Sequence, residues 1–383
     1  MTLATDQRRI DRTLGDLGDP SMGSVLVAVA GLHGNEPAGV HALRRVVARI
    51  ERDGLELRGR FVALAGNTRA LERNVRFFDL DLNRAWTQAR MQALARPDHA
   101  TGTGVEDVEQ RELWAALVDV FEAAAGPVIC VDLHTISASG GPFATVGDTL
   151  RNRAFALRFP VPKLLGIEEQ IDGGLLEWVG SLGHVTLGFE GGQHDDPDSV
   201  ESHEAFVWQA LEHAGLLSPS QVPDRLRHDA QLRRASSDVP RIIEVRHRHP
   251  VRPGDGFRME PGLRHFQPVE KGTLLAHDAQ GPIYAEESGY LLLPLYQGQG
   301  DDGFFLGRGV NPAWLTLSRL LRASGAPNVA HWLPGVHRKD DDPTTVLVDP
   351  RVARWQAPGL FHLLGYRRVR PRDGVLEFTR RKE

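Results

Sequence analysis

The sequence predicts an α/β fold: a mixed, mainly parallel sheet flanked by helices, with a smaller C-terminal β domain. Over about the first 215 residues, short β-rich runs alternate with helical patterns, which is typical of parallel strands joined by helices. From about residue 220, short β-like segments follow one another between Gly and Pro, a spacing typical of a small β-barrel or sandwich.

The elements of the first unit can be assigned in order. Ser24–Ala30 (SVLVAVA) has the pattern of a buried strand ended by Gly31, and a helix should follow, since Pro37 suits its first turn. Further strands are predicted at 60–65, 127–131, 143–146 and 184–189, and further helices at 106–125, near 149–159 and at 198–214.

The rest of the chain has a different composition and a different pattern of predicted elements. Residues 217–239 are polar, charged and punctuated by proline, which favours a linker or an excursion. β-like segments follow at 241–246, 272–277, 282–285 and 290–296, and then a helix at 314–323 and a hairpin around 372–374. We therefore expect an α/β domain over 1–220, a small β-barrel or sandwich over 221–306, and an α+β extension of unknown role over 307–383.

Composition excludes several classes of protein. The chain has one cysteine, Cys130, so an intrachain disulfide and any multi-cysteine metal site are ruled out, and a bound metal must be held by histidine and carboxylate. The net charge of −5 gives no general attraction to nucleic acid or anionic lipid. There is no apolar run of the ~20 residues that a membrane helix needs and no secretory signal, so we expect a cytoplasmic protein.

Three groups of histidine or carboxylate side chains each follow a predicted strand. His33 and Glu36 lie in GLHGNE, His134 ends VICVDLH, and Glu190 ends HVTLGFE. Because the carboxyl ends of parallel strands meet at one edge of a sheet, these residues could converge. Two histidines and one carboxylate with an open fourth position form a catalytic zinc arrangement, and a further carboxylate could act as base on the bound water.

Each of these signals is weak when taken alone. With sixteen histidines, roughly one His-x-x-Glu pair is expected by chance. His134 alone would more often be a hydrogen-bonded histidine at a strand end, and His247 and His249 more often share an exposed face. The common placement of His33 and His134 at strand ends is what favours a metal site.

The segment RFFDLDLNR contains arginines that could bind a substrate rather than a metal. Arg76 and Arg84 bracket an acidic stretch, with Asn83 beside the second arginine, and a planar guanidinium binds carboxylates in a bidentate manner. This loop could therefore hold an acidic substrate. Composition alone favours the alternative, in which Asp79 and Asp81 neutralise the arginines at the surface.

Four motifs together resemble one known family. HGNE at 33–36, DLNR at 81–84, DLHT at 132–135 and FEGG at 189–192 occur in the order found in the succinylglutamate desuccinylase/aspartoacylase family, relatives of the zinc carboxypeptidases. The resemblance extends over about residues 20–305. It implies a zinc-carboxypeptidase-like sheet and a zinc hydrolase domain over 1–220.

The resemblance also implies roles for individual residues. His33, Glu36 and His134 would be the ligands of one zinc ion per chain, and Glu190 would be the general base. Arg76 would help to polarise the scissile carbonyl. Asn83 and Arg84 would hold the carboxylate of the substrate.

Two neighbouring stretches fall outside this assignment. Asp132 lies two residues before His134 and would share its face only if the strand continued that far, so Asp132 is left out of the predicted site. The acidic stretch at 194–196 departs from the family pattern beside the proposed base. Which acyl group and which amino acid are recognised therefore stays open.

The implied function is a zinc-dependent deacylase that cleaves the amide bond of a small, acidic N-acyl amino acid, a carbon–nitrogen bond other than a peptide bond. One alternative is a metallocarboxypeptidase or peptide amidase that uses the same centre on longer substrates. Another is a zinc-binding or regulatory module without turnover, although such a module usually loses a ligand, the base or an arginine. A homo-oligomer is left open.

Overall fold

A computed structural model of the chain describes residues 9–94, 104–168, 170–234, 239–340, 342–352, 357–372, 374–381 and 383. The strands are β1 Thr13–Gly18, β2 Ser24–Ala30, β3 Gly59–Ala65, β4 Val128–Ile136, β5 Phe143–Val146, β6 Lys163–Leu165, β7 Val185–Gln193, β8 Ile242–Pro250, β9 Arg258–Met259, β10 Pro268–Val269, β11 Leu274–Asp278, β12 Gly281–Tyr284, β13 Gly289–Leu292, β14 Asp302–Gly309, β15 Val336–Lys339, β16 Asp342–Val348, β17 Tyr366–Arg372 and β18 Val375–Arg380. The α-helices are α1 Ala38–Asp53, α2 Thr68–Arg73, α3 Gln88–Leu94, α4 Val105–Ala123, α5 Leu150–Ala156, α6 Leu175–Ser181, α7 Pro197–His213, α8 Arg225–Arg234, α9 Pro312–Ala323 and α10 Ala357–Leu363.

A large mixed sheet organises the described part of the chain. Its 11 strands have the order β1-β3-β2-β4-β7-β5-β6-β8-β14-β13-β10. The pairs β3-β2, β2-β4, β4-β7, β5-β6 and β6-β8 are parallel, whereas the outer pairs and β7-β5 are antiparallel. The predicted fold class, a mainly parallel sheet flanked by helices, is confirmed.

Helices cover both faces of the central strands, which explains why those strands are apolar runs without polar alternation. In β2, Leu26 packs in a core with α1 and α7, whereas the neighbouring residue Val27 packs in a second core with α4 and α6. Successive side chains of a strand point to opposite faces, so one strand serves both layers. The ends of the buried strands are therefore the places where polar side chains can gather.

The second half of the chain extends this sheet and adds two smaller sheets. β8 pairs with β6, and β14, β13 and β10 continue the large sheet beyond it. Separate antiparallel sheets have the orders β12-β11-β9 and β15-β16-β18-β17, and the second has its own core around Phe361 and Phe378. The division into domains at 220 and 306 stays a prediction, because β6 and β8 lie on either side of residue 220 in one sheet.

The segment 217–239, predicted as a linker or an excursion, contains a helix in its central part. Residues 225–234 form α8, which packs against α7, and the Arg225 guanidinium donates to both carboxylate oxygens of Glu212, at 2.7 and 2.8 Å. The predicted C-terminal hairpin is present as the antiparallel pair β17-β18, although Asp373 at its tip lies outside the described residues. Among the helices described, none has the length and apolar character needed to span a membrane.

Candidate metal centre and active site

Two glycines shape the loop that carries the first histidine. Gly31 follows β2 with φ of 72°, and a side chain there would come within 2.8 Å of Leu71. Gly34 packs against the backbone of Ala70 so closely that a Cβ atom would overlap it, and its N–H donates to the carbonyl of Arg76 at 3.0 Å. The loop therefore turns back over the strand end and buries His33.

The pairing of β4 with β7 brings the second histidine to the proposed base. β4 continues to Ile136, past the predicted end at residue 131, and the parallel register places His134 beside Glu190. The last part of β4 contains buried polar residues, so the run of apolar residues ends before the strand does. The expected convergence at the sheet edge is thus present.

Three buried residues form a compact cluster at this edge. His33 Nδ1 lies 2.8 Å from Glu36 Oε1, and His134 Nδ1 lies 3.1 Å from Glu36 Oε2. One donor atom from each residue lies within 4.8 Å of the others, and all three side chains are buried. Imidazole nitrogen and carboxylate oxygen are donors that zinc prefers. The structure brings together the three residues that the sequence indicated as ligands.

The far nitrogen of each imidazole is held by an aspartate. His33 Nε2 lies 3.1 Å from Asp81 Oδ1, and His134 Nε2 lies 2.7 Å from Asp132 Oδ2. A ligating histidine usually donates its second N–H to a carboxylate, which fixes the ring and raises its basicity. Both Nδ1 atoms are thereby left facing the Glu36 carboxylate. This donor set fits a single zinc ion.

Both aspartates were misjudged from the sequence. Asp81 is 7% exposed and so is not a surface partner of the arginines, the interpretation that composition favoured. Asp132 was left out of the site because β4 was expected to end too early. A signal was present for Asp132, since the residue two positions before a strand-end histidine shares its face whenever the strand persists.

The cluster is strongly polarised. Burial would raise the pKa of Glu36, but the imidazoles of His33 and His134 outweigh it and hold that pKa well below its usual range. Burial would lower the pKa of His134, but Asp132 and Glu36 raise it well above its usual value. The two imidazoles are thus surrounded by three carboxylates, those of Glu36, Asp81 and Asp132. The negative charge of these carboxylates would stabilise a bound cation.

Glu190 has a different environment. Its side chain is partly exposed, but its Oε2 atom is buried and has no hydrogen-bond partner among the described residues. Burial, to which the negative charge of Glu36 adds, raises the pKa of Glu190 to about 8. A buried polar atom without a partner in a pocket, with a shifted pKa, is typical of a functional group.

The predicted arginines and asparagine line the same pocket as the cluster. Arg76 Nη1 donates to Glu36 Oε1 at 3.0 Å, and Asn83 Nδ2 lies 3.4 Å from His134 Nε2. Arg84 Nη2 donates to Asp302 Oδ2 at 2.8 Å. Sequence reasoning missed Asp302, which lies on β14, more than 200 residues away, with no motif around it.

A mixed α/β sheet with a buried His-Glu-His cluster and an unpartnered glutamate in one pocket defines a class: α/β proteins with a candidate metal-hydrolase centre. Residues 22–159 match the family model described as "Succinylglutamate desuccinylase/Aspartoacylase catalytic domain". The predicted resemblance is confirmed, and over these residues the chain is similar to the catalytic domain of the succinylglutamate desuccinylase/aspartoacylase family.

Individual relatives give the extent of the similarity. A succinylglutamate desuccinylase of Pseudomonas fluorescens (strain SBW25) is 33% identical over 113 residues, 30% of this chain. The match spans less than a third of that relative, 31% of its length.

Solved structures extend the likeness of the fold. A succinylglutamate desuccinylase/aspartoacylase from Rhodobacter sphaeroides has a TM-score of 0.56 at 19% identity and covers 78% of this chain and 88% of its own. The product-bound ectoine utilization protein EutE from Ruegeria pomeroyi has a TM-score of 0.54 at 21% identity and covers 76% of this chain and 87% of its own. At these identities the likeness concerns the fold.

Proposed function

We propose that this chain is a zinc-dependent deacylase that hydrolyses the amide bond of an N-acyl amino acid. The observation that carries the proposal is the position of Glu190, a carboxylate whose Oε2 atom is buried and unpartnered among the described residues, in the same pocket as the His33–Glu36–His134 cluster. The family's printed name, which refers to desuccinylation and aspartoacylation, supports the reaction class.

Zinc held by His33, Glu36 and His134 would supply Lewis-acid chemistry, polarising the amide carbonyl and lowering the pKa of water. Glu190 acts as the base that takes a proton from the attacking water and returns it to the departing amine. Its pKa, raised to about 8 chiefly by burial, makes this carboxylate a stronger base than an exposed glutamate.

The arginines and Asn83 orient the substrate. Arg76 faces the cluster from the side of Glu36 and adds a fixed positive charge where the carbonyl oxygen develops negative charge. Arg84 receives the α-carboxylate, together with the amide of Asn83, which makes binding an orienting step. Asn83 is itself fixed, because its Oδ1 accepts from the N–H of Leu175 at 3.0 Å.

The proposal is tested by metal analysis together with an N-acyl amino-acid hydrolysis screen on the zinc-loaded protein. We expect one zinc per chain and turnover that Glu190→Gln reduces by at least about a hundredfold while zinc content is unchanged. Asp229→Asn, on the exposed side of α8, is the matched control and should keep full activity.

Two results would contradict the proposal: a zinc content far below one per chain, or unreduced turnover in Glu190→Gln. Cleavage restricted to C-terminal peptides in a parallel panel would instead favour a carboxypeptidase. A zinc-loaded protein inert on all amides and esters would favour a binding module.

A further inference from the structure

A glutamine from the second half of the chain reaches the wall of the active-site pocket. Gln297 follows β13 and lines the same pocket as the metal cluster. The N–H of its neighbour Tyr296 donates at 3.0 Å to the hydroxyl of Ser137, which directly follows β4. The segment therefore closes the pocket beside the end of β4, close to His134 in sequence, although Gln297 has no part in the proposed mechanism.

Two side chains fix the amide oxygen of Gln297. Asn35 Nδ2 donates to Gln297 Oε1 at 3.0 Å, and His194 Nε2 lies 3.2 Å from the same atom. Because an amide oxygen only accepts hydrogen bonds, Nε2 of His194 carries the hydrogen and donates. Burial lowers the pKa of His194, so at pH 7 its neutral Nδ1 accepts from the Thr135 hydroxyl, 2.7 Å away. Donors from two separate loops thus hold the amide in one orientation.

The amide nitrogen of Gln297 is left for another partner. Only Oε1 of this side chain is hydrogen-bonded to described residues, and Nε2 is accessible rather than buried. Beside it, Asn35 Oδ1 is buried and has no partner among the described residues. A few polar groups fixed in an otherwise closed pocket are what orient a ligand and give specificity. The unused N–H groups of Gln297 are such a group.

This corner of the pocket differs from the site assigned to the substrate carboxylate. Asn83 reaches His134 on the side of Nε2. The contacts of Gln297 lead through His194 to Thr135, whose N–H donates at 3.0 Å to the Glu36 oxygen that faces Nδ1 of His134. In an N-acyl amino acid the scissile carbonyl lies between the α-carboxylate and the acyl chain. A carboxylate at Asn83 and a carbonyl at the cluster therefore direct the acyl chain toward Gln297.

From this arrangement we infer that Gln297 is a specificity-determining residue for the acyl half of the substrate, and that its Nε2 donates to an oxygen that the acyl chain carries beyond the scissile carbonyl. This inference rests on the proposed function. Asn35 and His194 are positioning residues, because they hold Oε1 and so leave Nε2 to the substrate. An acyl chain of methylene and methyl groups alone would displace water from Nε2 without replacing its hydrogen bond, which costs free energy.

The test compares uncharged acyl chains that differ in one acceptor oxygen. N-methoxyacetyl-L-alanine is paired with N-butyryl-L-alanine, and N-levulinoyl-L-alanine with N-isocaproyl-L-alanine, so that two chain lengths are sampled on an amino acid without side-chain charge. We expect kcat/KM of the zinc-loaded protein to favour the oxygen-containing member of at least one pair by about fivefold, the usual effect of one neutral hydrogen bond.

Variants assign the preference to one atom. Gln297→Glu keeps an oxygen for Asn35 and His194 but replaces the N–H donor by a second acceptor, so it should abolish or reverse the preference. Gln299→Glu, which adds the same charge at an exposed position of the same segment, should leave the ratio unchanged. His194→Phe should reduce the ratio, because the amide loses one of the two donors that orient it. A ratio near one for both pairs in the wild-type chain, or a ratio that Gln297→Glu leaves unchanged, overturns the inference while leaving the deacylase proposal standing.

Binding separates the inference from catalysis. Calorimetry on zinc-loaded Glu190→Gln should show tighter binding of the oxygen-containing member of the preferred pair, by about the same fivefold factor. Equal binding within both pairs overturns the role of Gln297 even if no turnover is found. Preferential binding with no turnover in the wild-type chain supports that role and contradicts the deacylase proposal instead. Failure of all four compounds to bind contradicts both.

Discussion

Each imidazole of the candidate centre lies between two carboxylates. Glu36 bridges the Nδ1 atoms of His33 and His134, and Asp81 and Asp132 hold the two Nε2 atoms. The orientation of each ring is therefore set by groups on both sides before any ion binds. Such outer carboxylates contribute to metal affinity as well as to geometry.

Replacing Asp132 by Asn should weaken zinc binding without unfolding the chain. The amide still fits beside His134 Nε2, but it lacks the negative charge that raises the basicity of the imidazole. We expect zinc affinity to fall by 10- to 100-fold, by the usual effect of such partners. Competition with a zinc chelator measures it, with Asp229→Asn as control. Unchanged affinity would mean that Asp132 has no role in the centre.

At the scale of elements, the sequence predicts well the site residues at the strand ends. It predicts poorly the residues from distant segments that pair with site residues. The positions of His33, His134 and Glu190 follow from local patterns, because a buried parallel strand is an apolar run and its polar successor lies at the sheet edge. Asp302 could not be predicted, because it reaches Arg84 only through the pairing of β14 with β8. Long-range pairing of that kind leaves no local signal.

The junction of β7 and α7 gives a prediction about packing. A Cβ atom on Gly191 would overlap the ring of His203, which is fully buried and lies 3.0 Å from the carbonyl of His134 through Nε2. Gly191→Ala should therefore cost about 1–3 kcal/mol in the free energy of unfolding. It should also weaken zinc binding, since β4 shifts with His203.

Urea unfolding measures the effect of Gly191→Ala. Gly359→Ala in α10 is the matched control, because nothing lies within 4 Å of the added Cβ atom and alanine favours a helix. Equal stabilities of the two variants would show that His203 can move without cost. That result would contradict the proposal that the contact of His203 with the carbonyl of His134 helps to position His134.

At the scale of the whole molecule, a buried charge cluster joins the C-terminal extension to the α/β sheet. Asp148 follows β5 and is fully buried among the guanidinium groups of Arg153, Arg322 and Arg367. Two of these arginines come from the extension, on α9 and β17. The sequence predicted both elements but gave no role to the extension, because residues so far apart form no motif.

This cluster makes stability depend on pH. Burial would raise the pKa of Asp148, but the three guanidinium groups outweigh it and hold that pKa well below its usual 3.8. Burial would likewise raise the pKa of Glu244, but His362 and Arg367 lower it to about 2. Since both folded-state values lie below the unfolded ones, the contribution is fully present above about pH 4.5 and is lost as pH falls toward 2.

Asp148→Asn tests the cluster directly. Removing one partner leaves buried arginines without a counter-charge, so we expect a loss of about 3–5 kcal/mol in the free energy of unfolding at pH 7. The loss should shrink as pH falls from 4.5 toward 2, since the carboxylate becomes protonated there in the unfolded wild-type chain while the folded chain keeps it ionised. Urea unfolding at several pH values measures both, with Asp229→Asn as control. A loss that stays constant across that range would contradict the depressed pKa of Asp148, because a purely steric effect does not depend on its proton.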